Sequence, residues 1–334
     1  MSERPRVGIS RCLLGDEVRF DGGHKKDSYL LSTLGRFVEW VPVCPELEIG
    51  MGVPREPIYL VESQAGVRSG SHRVKLLGVE SHTDWTSKMA RFSATRVAGL
   101  AADLSGYVLK RDSPSCGLAG VRVHRARRRE SRGRKPVAAL SRTGRGLFAE
   151  ALIDALPNLP IEEEDRLHDV ELQQHFVERV FAYQRLRGLF SQRWTPSALV
   201  RFHTTHKLQL LAHSRVAYTA LGRLVAAAGT RPRELAARYE QTFMRALATP
   251  ATPGRHADVM LHIVGYLKAV IESADRHELL ASIDEHRRGL VPLASPMALI
   301  RHHVRRHDVE YLRDQVYLNP RAMGHEVAIS YPAS

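Results

Sequence analysis

Three cysteines, each in a loop of distinctive composition, are the residues of this 334-residue chain with the clearest chemical potential. Cys12 lies in Ser-Arg-Cys-Leu-Leu-Gly, Cys44 in Pro-Val-Cys-Pro-Glu and Cys116 in Ser-Pro-Ser-Cys-Gly. They are too far apart in sequence for a local zinc knuckle, and an odd number cannot pair completely in disulfides. If the fold brings the three thiolates together, they leave an iron–sulfur cluster one protein ligand short of the usual four, and a substrate can bind there. Zinc with three cysteine ligands fits the same pattern, and three buried structural thiols are the plain alternative.

The cysteine loops follow predicted strands. Strand-like and helix-like segments alternate through the first half of the chain, with strands at 6–10, 37–43 and 106–110 and helices at 26–36, 84–103 and 145–156. This alternation predicts an α/β domain at residues 1–160, with a mostly parallel sheet flanked by helices. Each cysteine comes just past the carboxyl end of a predicted strand, which is the edge where open α/β sheets form ligand clefts. We therefore expect the three thiols to converge on one rim.

Residues 170–325 predict an all-α domain, joined to the first by the acidic segment 160–166. Strand-like patterns are nearly absent there, and Pro, Gly or Thr residues separate the helical segments. The predicted helices are 171–189, 196–211, 213–228, 232–248, 255–273, 276–288 and 296–311. We expect this domain to bind RNA or to act as an accessory domain. His203 and His206 stand three residues apart, but no cysteine or His-Glu-x-x-His pattern accompanies them, so core hydrogen bonding or an RNA-facing surface is favoured over a metal site.

The charge balance indicates a polyanionic partner. Lys and Arg outnumber Asp and Glu, which gives a net charge of +13 and an isoelectric point near 10.0. Nucleic acid is favoured over a membrane surface because no amphipathic, Trp-rich stretch is present, while solubility alone is the alternative. No apolar run is long enough to span a bilayer, and the first residues lack an apolar signal core. The expected location is the cytoplasm, where thiols stay reduced.

A run of basic residues follows the third cysteine. Residues 122–135 hold eight Lys or Arg residues against one Glu. Such a density predicts an arm that binds RNA phosphates, since each cation releases condensed counterions; a solvated hairpin is the alternative. The predicted contacts are Arg125, Arg127, Arg128, Arg129, Arg132, Arg134 and Lys135.

Four segments around the cysteines resemble the thiouracil desulfidase (TudS-like) family. They are Ile9–Gly15, Val18–Gly22, Val43–Glu46 and Lys110–Gly117. Residues 170–320 resemble the helical domain of unknown function that is often fused behind it, and the two-domain arrangement resembles the bacterial RNA 4-thiouridine desulfidases. The resemblance implies a [4Fe–4S] cluster held by Cys12, Cys44 and Cys116, with the iron that has no cysteine ligand binding the substrate sulfur. The implied reaction converts 4-thiouridine in tRNA to uridine, with water as the source of oxygen and sulfide as the product.

The resemblance also implies roles for residues near the cysteines. Glu46 is the expected general acid/base, although the residues alone do not separate it from Glu48. One serine of the Ser113/Ser115 pair is expected to be catalytic, with Ser113 favoured and a turn or cap as the alternative use.

Four further residues are candidates for contacts with the substrate. Arg19 and Asp21 are predicted to bind it, although an Asp-Gly turn explains Asp21 equally well. Lys110 and Arg111 are predicted to contact a phosphate near the site.

Two other functions remain compatible with the sequence. One keeps the chemistry but acts on free thiouracil or a thio-nucleoside. The other is a non-catalytic iron–sulfur or zinc module that binds nucleic acid and senses redox state. The net charge, the basic run and the second domain favour thiolated tRNA as the partner; nothing in the sequence predicts the oligomeric state.

Overall fold

The computed structural model describes residues 4–63, 74–125, 139–191, 193–229 and 232–320. They divide into two compact units, with the boundary between Phe176 and Val177. The strands of the N-terminal unit are β1 (Arg6–Ser10), β2 (Glu39–Val43), β3 (Ile58–Glu62), β4 (Val74–Gly78), β5 (Leu104–Leu109), β6 (Val121–His124), β7 (Ala139–Gly144) and β8 (Ile161–Glu163). Its helices are α1 (Ser28–Thr33), α2 (Pro45–Glu48), α3 (Thr86–Leu100) and α4 (Leu147–Ala155).

A four-stranded sheet in the order β2-β1-β5-β8 carries the cysteine loops, and all its strand pairs are parallel. Every residue of β5 is buried, as a central parallel strand requires. Gly8 in β1 is needed for packing, since a Cβ atom there would lie 2.2 Å from the buried ring of Tyr107. Pro42 is tolerated because β2 is an edge strand. The predicted α/β class with a mostly parallel sheet is confirmed.

A second four-stranded sheet, in the order β4-β3-β6-β7, is absent from the sequence-based expectation. The β3–β4 and β6–β7 pairs are antiparallel, while β3 and β6 run parallel. Its strands have only four to six residues, so the alternating strand–helix pattern does not reveal them. The segment 126–138, which holds most of the predicted basic arm, lies outside the described residues.

The C-terminal unit is helical, as predicted. Its helices are α5 (Val170–Phe190, which starts before the boundary), α6 (Pro196–Thr205), α7 (Lys207–His213), α8 (Arg215–Ala226), α9 (Pro232–Leu247), α10 (Pro253–Leu267), α11 (Ser273–Arg287), α12 (Ala294–Arg306) and α13 (Glu310–Arg313). Apolar side chains from α7, α10, α11 and α12 form one buried cluster, including Leu208, Met260, Ile263, Ile283 and Ile300. Within the described part of the chain, no helix is both long and apolar enough to cross a membrane.

One predicted helix, 196–211, is in fact two. It breaks at His206, whose backbone angles of φ −98° and ψ 6° leave the helical range. The buried His206 ring stacks on Phe202 at 3.9 Å, and its Nδ1 donates to the Phe202 carbonyl at 2.7 Å. His203 is buried as well and hydrogen-bonds the Tyr239 hydroxyl at 3.1 Å. Both histidines therefore belong to the hydrogen-bonded core, which is one of the two uses expected for them.

Candidate active site

The three cysteine thiols line one cavity of about 330 Å³ in the N-terminal unit. Cys12 is the second residue after β1, in a 3₁₀ turn. Cys44 directly follows β2, and Cys116 lies in the loop after β5. Because β1, β2 and β5 are parallel neighbours, their carboxyl ends lie at one edge of the sheet. The convergence expected from the strand ends is therefore present in the fold.

Local hydrogen bonds fix each cysteine loop. The Cys12 carbonyl accepts the N–H groups of Gly15 and Lys25, at 3.3 and 2.9 Å. The Cys44 N–H donates to the Glu48 carboxylate at 3.1 Å. The Cys116 N–H donates to the Ser113 hydroxyl at 3.1 Å.

The environment keeps the free thiols protonated. Burial raises the pKa of Cys12 to about 11, and it also raises that of Cys44. Burial raises the pKa of Cys116 well above its usual range, an effect that a hydrogen bond from Ser10 only partly opposes. A thiolate at these positions therefore needs a compensating positive charge, which a bound metal provides.

The donor set fits a cluster better than a single ion. Among the described residues, no three His, Cys, Asp or Glu side chains are grouped so that they could hold one metal ion. A single zinc at about 2.3 Å from each sulfur would need the three thiolates in close contact. In an iron–sulfur cluster each cysteine binds a different iron, so the thiolates stay farther apart around the group. Three thiols spread over the wall of one cavity suit that arrangement.

Two carboxylates, Asp112 and Glu46, line this cavity, and the less exposed of them is Glu46. Its Oε1 accepts a hydrogen bond from the Ser115 hydroxyl at 2.8 Å, and its Oε2 forms a salt bridge with Arg55. The side chain is 15% exposed, so the carboxylate is largely withdrawn from water. Glu48 does not line the cavity. Its carboxylate accepts the Cys44 N–H and forms a salt bridge with Arg96 at 3.2 Å. The structure thus distinguishes Glu46, which lines the cavity, from Glu48, which does not; the sequence alone left both as candidates.

The two serines differ in what they contact. The Ser113 hydroxyl accepts the N–H groups of Ser115 and Cys116, at 3.3 and 3.1 Å, and so shapes the turn before the third thiol. Ser113 also lines the cavity. Ser115 is fully buried and donates to Glu46. Ser113 is placed to meet a bound molecule, whereas Ser115 is placed to hold the carboxylate.

The structure places Arg19 in the cavity wall and Asp21 outside it. Arg19 lies 3.4 Å from Asp21 and 5.2 Å from the centre of the Phe20 ring. The Asp21 carboxylate accepts the Gly23 N–H at 3.1 Å, which is the Asp-Gly turn considered from the sequence. This hydrogen bond is the main cause of the lowered pKa of Asp21.

Lys110 and Arg111 also line the cavity, and each already has an acidic partner. Lys110 pairs with Glu164, and Arg111 pairs with Asp165. Glu164 also accepts the Arg111 N–H at 2.8 Å. Their predicted contact with a phosphate stays a prediction.

Three residues that shape the site, Arg55, Glu163 and Ser10, were not predicted from the sequence. Arg55 is 5% exposed and donates to the carbonyls of Val18 and Gly52, at 3.0 and 2.9 Å, as well as to Glu46. Glu163 accepts the Leu118 N–H at 2.9 Å, so an acid in the expected linker braces the third cysteine loop. The Ser10 hydroxyl accepts the Lys110 N–H at 2.9 Å and donates to Cys116. No sequence motif marks Arg55 or Glu163, whereas Ser10 sits beside Cys12 in a segment already singled out.

The predicted RNA-binding arm is mostly outside the described residues. Arg125 is described, is exposed and directly follows β6. The other predicted contacts, Arg127, Arg128, Arg129, Arg132, Arg134 and Lys135, fall in the segment 126–138.

Both halves of the chain match known protein families. A model of the 2-thiouracil desulfurase family matches residues 7–164, and a model of the family DUF1722, a protein of unknown function, matches residues 207–321. The uncharacterized protein YbgA of Escherichia coli (strain K12) is 35% identical over 141 residues, which make up 42% of this chain and 83% of YbgA. The uncharacterized protein YbbK of Bacillus subtilis (strain 168) is 29% identical over 110 residues, or 33% of this chain and 71% of YbbK.

Among solved structures, the [4Fe–4S]-dependent thiouracil desulfidase TudS is 27% identical, with 51% of this chain and 97% of that chain covered and a TM-score of 0.37. The resemblance stated from the cysteine motifs is confirmed by the family match to the same part of the sequence. Residues 7–164 are therefore a domain of the 2-thiouracil desulfurase family, and a DUF1722 domain follows.

Proposed function

We propose that this protein is a [4Fe–4S]-dependent desulfidase that converts 4-thiouridine in tRNA to uridine and releases sulfide. The observation that carries the proposal is that Cys12, Cys44, Cys116 and Glu46 line one cavity. The family match at residues 7–164 supports the removal of sulfur from a thiolated uracil.

Cys12, Cys44 and Cys116 would hold the cluster, since all three face the cavity and none is paired in a disulfide. A cluster with three cysteine ligands supplies one iron without a protein ligand, a Lewis acid with affinity for sulfur. The remaining wall of the cavity, which includes Glu46 and Ser113, would surround the thiolated ring.

Glu46 is the proton acceptor in the proposed reaction. Each of its carboxylate oxygens accepts one hydrogen bond from the protein and keeps a lone pair for a second. Glu46 can therefore take a proton from a water molecule as the water oxygen attacks the ring carbon that carries sulfur. In the balanced reaction, one water replaces the thiocarbonyl sulfur by oxygen and hydrogen sulfide leaves. No electrons are exchanged.

The choice of tRNA rests on charge. The net charge of +13 and the basic run at 122–135, which begins soon after the third cysteine, suit a polyanionic substrate. A 4-thiouridine base within folded tRNA must be exposed before its sulfur can reach the cavity. Free 2-thiouracil is the second candidate substrate, because it gives the matching family its name.

The test is sulfide release by anaerobically reconstituted protein. Loss of the near-ultraviolet absorbance of thiolated tRNA, with a matching yield of sulfide, is the expected result, and free 2-thiouracil should react more slowly. Glu46→Gln should abolish turnover and leave the iron content unchanged. Glu48→Gln, on the same short helix but outside the cavity, is the matched control. Its amide oxygen can still accept the Cys44 N–H, so this variant should stay active. Persistent absorbance of thiolated tRNA with an intact cluster would contradict the proposed substrate, and if free 2-thiouracil also released no sulfide, the protein would be a non-catalytic module.

A further inference from the structure

Phe20 is the one aromatic side chain that lines the cysteine cavity, among the residues that the structure describes. The residue is 37% exposed, so the protein itself leaves much of the ring uncovered. Its neighbours Arg19 and Asp21 were the predicted substrate contacts, and of these only Arg19 shares the cavity wall. Neither the cluster ligands nor the proton acceptor accounts for an apolar ring at this position.

The surroundings of Phe20 hold its ring in a fixed position. The Arg19 guanidinium lies 5.2 Å from the ring centre, within the range of a cation–π contact. The Phe20 carbonyl accepts the Arg55 N–H at 2.9 Å. The Arg19 N–H donates to the Gly23 carbonyl at 3.1 Å, which closes the turn that carries the ring. In the described part of the chain, no second cation and no other ring contacts it. One face of the ring therefore meets a cation, and the other stays available to a flat ligand.

The rest of the cavity wall suits a flat ring with apolar faces. Val18, Pro57 and Ile58 contribute apolar side chains beside the three cysteines. A uracil ring is planar and carries its polar groups at the edge, so its two faces are best buried against aromatic or apolar groups. Enzymes that act on a base taken out of its stack hold it in this way, between aromatic and apolar side chains. Within the described wall, Phe20 is the residue that can supply the aromatic side.

We propose that the ring of Phe20 stacks on the thiolated uracil and makes a flat, aromatic ring a requirement for binding. The inference rests on the proposed function for the identity of the substrate. Stacking on Phe20 keeps the ring in one plane inside the cavity that also contains Glu46. Because this contact is the same before and during the reaction, it lowers KM and leaves kcat unchanged. A ring with a saturated C5–C6 bond carries the same N–H and carbonyl groups but is puckered, so it loses the contact.

The test compares the binding of uracil and 5,6-dihydrouracil to the full chain carrying its cluster, by isothermal titration calorimetry. Both compounds lack sulfur, so binding is measured without turnover. The wild-type protein should bind uracil about tenfold more tightly than 5,6-dihydrouracil. Phe20→Leu keeps an apolar side chain and should weaken uracil binding about tenfold, which brings the two affinities together. Phe20→Tyr keeps the ring and should retain the preference for uracil.

Controls separate stacking from a structural role of Phe20. Tyr29 is 38% exposed, lies in α1 and is outside the cavity wall, so Tyr29→Leu is the matched loss of an exposed ring and should change neither affinity. Phe20→Leu should also keep the iron content and the circular dichroism of the wild type. Lower iron content with the preference for uracil intact would show that Phe20 only shields the cluster, which would overturn the inference. Equal affinity of the wild type for the two rings, or no measurable binding of either, would overturn it as well.

Sulfide release distinguishes failure of this inference from failure of the proposed function. With 2-thiouracil as substrate, Phe20→Leu should raise KM about tenfold and leave kcat within about twofold. An unchanged KM contradicts the stacking role alone. Loss of the preference for uracil in Phe20→Leu, in a protein that releases no sulfide from any thiolated substrate, contradicts the proposed function alone.

Discussion

Replacing Arg55 by Met tests whether a buried ion pair holds Glu46 in the cavity wall. Arg55 is 5% exposed and Glu46 is 15% exposed, so both charges are largely removed from water. Removing one partner of a buried pair leaves the other charge uncompensated, at a cost of about 3–5 kcal/mol. Arg55 also donates to two backbone carbonyls, each worth about 1 kcal/mol. We expect the free energy of unfolding of the N-terminal unit to fall by about 4 kcal/mol.

The double variant separates the ion pair from the other contacts of Arg55. Glu46→Gln removes the negative charge, so Arg55→Met in that background no longer strands a buried carboxylate. The two effects should therefore be less than additive, with a coupling of about 1–3 kcal/mol. In the enzyme that carries its cluster, Arg55→Met should lower kcat by about a hundredfold or more, because a displaced base loses its contribution to proton transfer.

Urea unfolding is measured in a Trp194→Phe background. The two remaining tryptophans, Trp40 and Trp85, lie in the N-terminal unit and report on it alone. Reporting on one unit matters because a two-domain chain need not unfold in a single transition. Additivity of Arg55→Met and Glu46→Gln within about 0.5 kcal/mol would refute the coupling, and an unchanged kcat in Arg55→Met would refute its positioning role.

Three further outcomes are expected. Ser115→Ala removes the hydrogen bond to the Glu46 carboxylate and should lower kcat about tenfold to a hundredfold at unchanged iron content. Ser113→Ala loosens the third cysteine loop and should instead lower the iron content. Cys44→Ala should lose both the visible absorbance of the cluster and turnover. Burial lowers the pKa of His256 to about 4, from an unfolded value near 6.5. The unfolded chain therefore binds more protons between these pH values, so His256 causes stability to be lost as the pH falls through this window, by up to about 3 kcal/mol. His256→Gln should flatten the dependence, measured by Trp194 fluorescence with the other two tryptophans replaced; an unchanged slope would contradict the assignment.

The position of the cysteines could be predicted because it depends on a regular property of the fold. Parallel strands end at one edge, so three loops that follow three strands meet there even when the loops are far apart in sequence. The same argument cannot show which side chains brace the site. Ser115 reaches Glu46 across 69 positions, and Glu164 reaches the Arg111 backbone across 53. Such pairs depend on the exact register of strands and turns, which periodicity does not specify.

The acidic segment 160–166 shows a second kind of feature that the sequence pattern does not predict. Its charges predict an exposed linker, yet it contains β8, which pairs with β5 at the edge of the main sheet. The strand has only three residues, too few for an alternating pattern to be visible. All four acids of the segment have partners. Glu163 accepts the Leu118 N–H and Glu164 pairs with Lys110. Asp165 pairs with Arg111, and Glu162 pairs with Arg166. Hydrogen bonding in the fold, and not solvation, explains these charges.

The placement of β8 has a consequence for how the protein is made. The ribosome synthesises residues 161–164 long after all three cysteines, yet these residues brace the loops before and after the third one. A nascent chain that ends at residue 155 already holds every thiol but lacks the strand that completes the sheet. We expect such fragments to be poor acceptors of iron and sulfide, so assembly of the metal centre during synthesis waits until the last strand has left the ribosome.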